Sequence, residues 1–117
     1  MTGLTEEQLD HYKNKGYVSP VNALTSVEAK EIRDEIEKIE KNWPGALDGL
    51  NRNYIHLLSP IFNRVCLNKN ILDAVESIIG QDILICGTTL FIKNPNEKGF
   101  VSFHQDAKYI GLEPHNW

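Results

Sequence analysis

Three residues near the end of the chain, His104-Gln105-Asp106, combine side chains that bind metals. They directly follow an apolar stretch, Phe100 to Phe103, that reads as a strand. In an extended backbone, residues two apart face the same side. His104 and Asp106 can therefore meet at one point while Gln105 turns away. A neutral imidazole and a carboxylate so disposed are two corners of the 2-His-1-carboxylate triad. That triad holds Fe(II) on one face and leaves the other open for a chelating co-substrate and O₂. By itself the triplet is a weak signal, because short polar triplets are commonly solvated loop residues. The remaining histidines have plainer readings: His11 on the surface of a first helix, His56 in a loop, His115 close to Trp117. Cys66 and Cys86 follow no metal or redox spacing and read as reduced apolar fillers.

The elements that would position the triplet follow from the pattern upstream. Thr5 to Gln8 reads as a capping box opening a helix, with Gly16 as its left-handed stop. Tyr17 and Val18 read as a short strand. A second box, Thr25 with Glu28, opens a helix with the apolar stripe Val27, Ile32, Ile36 and Ile39. It closes at Trp43-Pro44-Gly45. The charges from Glu28 to Lys41 read as a solvated face laced with i,i+4 pairs. Residues 45–58 show weak periodicity and read as a loop. Ser59-Pro60 reads as a cap and first helical position for a short helix through Val65. Asn70 is the expected cap of the next helix, whose face is Ile71, Leu72, Val75, Ile78 and Ile79 and whose end is Gly80. The texture then changes. Residues 82–93, DILICGTTLFIK, are apolar and β-branched and read as a strand or two, with a bend at Gly87. Residues 94–99 form a turn by composition. The pattern predicts an α+β fold: one domain over residues 1–117, mostly helical to about residue 80, then strands and the metal motif.

With 117 residues the chain makes one compact domain or a piece of one. Its net charge of −4 argues against a nucleic-acid partner, which favours a basic patch. No apolar run approaches the roughly 20 residues of a membrane span. The polar start, Met1 to Asp10, does not read as a secretory signal. These features suit a cytoplasmic protein.

The segment Leu90-Phe91-Ile92-Lys93-Asn94-Pro95, a turn, and then Phe103-His104-Gln105-Asp106 through Tyr109 to Pro114 resembles the signature of the phytanoyl-CoA dioxygenase family. That family shows an apolar strand ending in Lys and Pro, a short turn, then HQD followed by an aromatic residue and Pro. Leu4 to Gln8, Gly16-Tyr17-Val18, the helix from Thr25, and Ile78 to Ile83 are similar to the family's opening, in the same order. The resemblance implies an Fe(II)- and 2-oxoglutarate-dependent hydroxylase on a double-stranded β-helix, or jelly-roll, with helices at the front. His104 and Asp106 would be its first two iron ligands. Lys93 would help to hold 2-oxoglutarate, although a lysine marking a strand end in solvent fits equally. Thr89 shares a side with Lys93 in a regular strand and would line the co-substrate pocket, or be a structural strand threonine. Tyr109 would pack beside the metal or serve as a core aromatic.

The resemblance also implies parts that follow further along the family's chain: a distal His, and an Arg whose fork pairs with the far carboxylate of 2-oxoglutarate. Arg33, Arg52 and Arg64 all precede the motif. The expectation is thus the N-terminal portion of an oxygenase domain, inactive alone, with an incomplete jelly-roll whose open strand edges invite self-association. Related halogenases replace the carboxylate with a small residue, so Asp106 favours hydroxylation. The substrate is not legible. Two other readings compete: a non-catalytic interaction module derived from the oxygenase fold, and an unrelated α+β domain in which HQD is coincidence.

Overall fold

The computed structural model describes residues 3–106 and 110–111. Its helices begin where the sequence supplies caps. At α1 (Glu6–Lys15), Thr5 Oγ1 accepts from the Gln8 backbone N–H at 3.2 Å, and Gln8 Oε1 accepts from the Thr5 N–H at 2.9 Å. Two donors that no helical carbonyl can reach are thereby satisfied. Gly16 ends the helix at φ 80°, a left-handed conformation that glycine reaches without a Cβ penalty. α2 (Ser26–Asn42) repeats the device: Thr25 Oγ1 accepts from the Glu28 N–H and Glu28 Oε2 accepts from the Thr25 N–H. On its outer face Lys30 pairs with Asp34 and Arg33 with Glu37, the i,i+4 lacing expected there.

Several expectations need correction. The loop expected at 45–58 contains a 3₁₀ turn, Gly49–Arg52, and a short helix α3, Ile55–Leu58. This stretch folds around the burial of Leu47 and Ile55 rather than by periodicity. Tyr54 enters α3 at φ 56°, a left-handed conformation that nothing in its type announces. α4 (Pro60–Cys66) has Pro60 in its first turn as expected, but Ser59 makes no side-chain capping bond and its Oγ is buried without a hydrogen-bond partner among the described residues. α5 spans Lys69–Ile79 and is capped by Asn68, not Asn70: Asn68 Oδ1 accepts from the Asn70 and Ile71 N–H groups. Both asparagines can cap, and the earlier one captures two orphan donors. Val27, expected on the apolar stripe of α2, is 68% exposed. No helix or strand is formed at Tyr17-Val18.

The core is small. Leu47, Ile55 and Phe62 are buried; Ile32, Ile36 and Ile39 of α2, Ile61 of α4, and Leu90 and Ile92 of the extended segment pack against them. At the other end of the helical region, the Leu4 N–H donates to Ser77 Oγ on α5 at 3.1 Å, joining the start of the chain to α5. No described helix is long and apolar enough to cross a membrane. Cys66 and Cys86 are free thiols.

Residues 82–103 run without a paired strand among the described residues. Their one ladder element is an isolated antiparallel bridge between Asn53 and Thr89. It is flanked by bonds from the Tyr54 N–H to Thr88 O at 2.7 Å and from the Leu90 N–H to Arg52 O at 3.0 Å. Composition marks the segment as β-prone, but a strand needs a partner to hold its N–H and C=O groups. The turn expected after Lys93 is present. The Glu97 N–H donates to Asn94 O, Glu97 Oε2 accepts from the Asn94 N–H, and Asn96 sits at φ 66°.

Candidate functional site

His104 and Asp106 converge as the alternation requires. His104 Nε2 lies 3.1 Å from Asp106 Oδ1. His104 Nδ1 lies 2.8 Å from the Ser102 carbonyl oxygen. A carbonyl oxygen only accepts, so Nδ1 must carry the proton in that bond. In a neutral ring Nε2 then presents a lone pair, and it faces a carboxylate oxygen. Two acceptors in contact need either a proton on Nε2 or a cation between them. The donor set suits a metal ion: one imidazole nitrogen, one carboxylate oxygen, and a backbone carbonyl on the far ring nitrogen that fixes the ring, as ligating histidines commonly have. Two donors about 2.1 Å from one octahedral ion stand about 3 Å apart, close to the observed separation. Both side chains are reachable from solvent, His104 at 40% and Asp106 at 76% exposure. No group of three or more His, Cys, Asp or Glu that could hold a metal ion occurs among the described residues. Tyr109 and His115 lie outside the described residues.

Thr89 and Lys93 line one cavity of about 420 Å³, but Leu90 and Ile92 line it too, so the lining does not follow a single strand face. Phe91 lines it as well, and so do Arg52 and Asn53 from the opposite segment. Thr89 Oγ1 donates to Asn53 Oδ1 at 2.8 Å, so this hydroxyl already has a structural partner. Lys93 has no hydrogen bond or ion pair among the described residues. A second cavity of about 390 Å³, between α2 and α4 and lined by Ile32, Ile61 and Arg64, contains none of the expected site residues.

The extended segment is held in place by residues with no motif of their own. His56 Nδ1 lies 2.8 Å from Thr88 Oγ1, and the Tyr54 ring covers the backbone at Gly87. A Cβ at Gly87 would lie 3.3 Å from Tyr54 Cε1, so the glycine permits this approach. His56 thus acts as an anchor, where the sequence suggests only a loop histidine. No spacing rule links a residue to a partner more than thirty positions away.

The family model for phytanoyl-CoA dioxygenase matches residues 12–116. The match takes in the helical front, the extended segment and the His-x-Asp pair. The chain belongs to the phytanoyl-CoA dioxygenase family. No curated protein and no solved structure matches it significantly.

Proposed function

We propose that this chain carries the proximal metal-binding half of an Fe(II)/2-oxoglutarate-dependent hydroxylase acting on a small organic or acyl substrate. The observation that carries the reading is the 3.1 Å approach of His104 Nε2 to Asp106 Oδ1, with the ring fixed through Nδ1. In this reading the extended segment supplies the opening strands of a jelly-roll, and His104 and Asp106 supply two ligands to Fe(II). Lys93 and Thr89 face the co-substrate. Bound iron would supply the oxidising chemistry, using 2-oxoglutarate and O₂; the protein's part is to orient and shield the reacting groups. Two donors are on hand among the described residues, and two donors hold Fe(II) weakly, so loose binding is expected.

The test is anaerobic Fe(II) titration by calorimetry on the chain and on His104→Ala, Asp106→Ala and Gln105→Ala. Loss in the first two and retention in the third is the expected pattern. Equal binding by all four proteins would sink the assignment.

A second reading is favoured by a specific observation. Leu84, Phe91, Phe100 and Phe103 are each at least 84% exposed along a segment whose backbone is largely unpaired. Exposed apolar strand edges are templates for pairing with another chain, so we also propose a non-catalytic module that self-associates through this segment. Sedimentation and succinate assays separate the two: concentration-dependent dimers without succinate favour the module.

A further inference from the structure

We propose that the cavity between α2 and α4 binds a zwitterion with an aliphatic body, of the kind a free apolar α-amino acid presents, with its ammonium toward Glu31 and its carboxylate toward Arg64. The site shares no lining residue with the cavity of Thr89 and Lys93, and binding there does not depend on the hydroxylase reading.

The cavity, about 390 Å³, is of small-molecule size. Its floor is held by the core: Ile32 and Ile61 line it and also pack on the buried cluster of Leu47, Ile55 and Phe62. Leu24, Val65 and Leu67 complete the apolar lining. Leu67 is 59% exposed, which leaves apolar surface for a ligand to cover.

The charged lining is divided between the two helices. On α2, Glu28 and Glu31 stand three residues apart, on one face. The nearby cations of that helix are engaged elsewhere: Lys30 with Asp34, Arg33 with Glu37 and Lys38 with Glu35. Glu28 Oε2 accepts from the Thr25 N–H and hydroxyl, so it is committed to the cap. Glu31 has no hydrogen bond or ion pair among the described residues. On α4 the cation is in the same condition. The positions three and four away from Arg64 hold Pro60, Ile61, Leu67 and Asn68, none of them acidic. Arg64 has no ion pair among the described residues either. Glu31 and Arg64 thus line one cavity without pairing with each other. A ligand with a single charge satisfies one of them, whereas a zwitterion satisfies both. A guanidinium fork matches a carboxylate, and an ammonium brings three donors to Glu31. The aliphatic remainder takes the apolar walls.

The test titrates three probes into the ¹⁵N-labelled chain: L-leucine, isocaproate, which lacks the ammonium, and isoamylamine, which lacks the carboxylate. Leucine is expected to shift amides in 28–32 and 61–67. It should bind about tenfold more tightly than either analogue, the worth of one charge-assisted hydrogen bond. Glu31→Gln should weaken leucine about tenfold and leave isocaproate unchanged. Arg64→Gln should weaken leucine and isocaproate alike and leave isoamylamine unchanged. Both side chains are exposed, so the fold should be kept, and unmoved α1 and α5 resonances would check this. His104→Ala and Lys93→Gln should leave leucine binding intact, which keeps this proposal apart from the metal reading. Leucine binding no tighter than both analogues, or no loss in Glu31→Gln or Arg64→Gln, overturns the zwitterion. Absence of shifts in 28–32 and 61–67 overturns the site.

Discussion

The helical front and the extended segment solve the same problem, satisfying backbone polar groups, in opposite ways. α1, α2 and α5 close their hydrogen bonds within themselves and borrow only nearby side chains: Thr5 and Gln8, Thr25 and Glu28, Asn68. Apart from the Asn94–Glu97 turn, residues 82–103 have no such internal closure among the described residues. They depend on a distant segment, 52–56, that touches them at Thr88 to Leu90. The metal-binding pair lies beyond the less supported region. The front is therefore held locally, whereas the site depends on tertiary contacts.

The largest effect should come from the place where both regions share a core. Phe62 is 6% exposed and packs with Leu47 and Ile55, against which Leu90 and Ile92 also rest. Phe62→Ala should cost about 3–5 kcal/mol, enough to abolish a cooperative urea transition read by circular dichroism in a domain of marginal stability. Phe103→Ala removes the same ring from a fully exposed position and should stay within about 0.5 kcal/mol of the parent. Similar losses for both would mean that the extended segment is packed rather than exposed, and the contrast between the regions would fail.

The difference in support also explains what the sequence makes legible. Capping boxes are readable because donor and acceptor are three residues apart and chemically distinctive. The His104–Asp106 convergence is readable for the same reason: it needs only the alternation of an extended chain. Arg52, Asn53 and His56 are not readable as site or anchor residues. Their partners, across the cavity or at Thr88 and Thr89, are far away in sequence and come near only through the burial of Leu47 and Ile55. The β character of residues 82–93 is visible in composition, but pairing is a property of two segments, and one segment cannot announce its neighbour.

An intermediate effect should sharpen the comparison at the junction of the two regions. Thr88→Val removes the hydroxyl that meets His56 Nδ1 while keeping the branched shape. The cost should be about 1 kcal/mol. Hydrogen exchange should quicken at the Leu90 amide, which donates to Arg52 O, and leave α2 amides unchanged. Quickened exchange throughout would show that the clamp supports the whole fold.

Within the front, Thr25→Ala should cost about 1 kcal/mol of stability, since it strips the α2 cap of the oxygen that accepts from the Glu28 N–H. The fraying should stay in the first turn of α2, visible in backbone chemical shifts at residues 26–29, with Thr89 and Leu90 unaffected.

The smallest effect is a pH dependence carried by the same cap. The backbone N–H of Thr25, and next its hydroxyl, donate to the Glu28 carboxylate and hold its pKa below the ordinary glutamate value. A carboxyl depressed in the folded state binds protons less readily than in the unfolded chain. Its stabilisation is complete above the unfolded carboxyl range and is lost as pH falls from there through the lower folded-state pKa. Glu28→Gln keeps a side-chain acceptor for the Thr25 N–H but cannot titrate, so it should flatten the acid fraying of the first turn of α2. Because Glu28 is at the helix surface, the change should be modest and confined to that turn. If the acid response of residues 26–29 persists undiminished in Glu28→Gln, the response originates elsewhere, and the front is not as locally governed as its caps indicate.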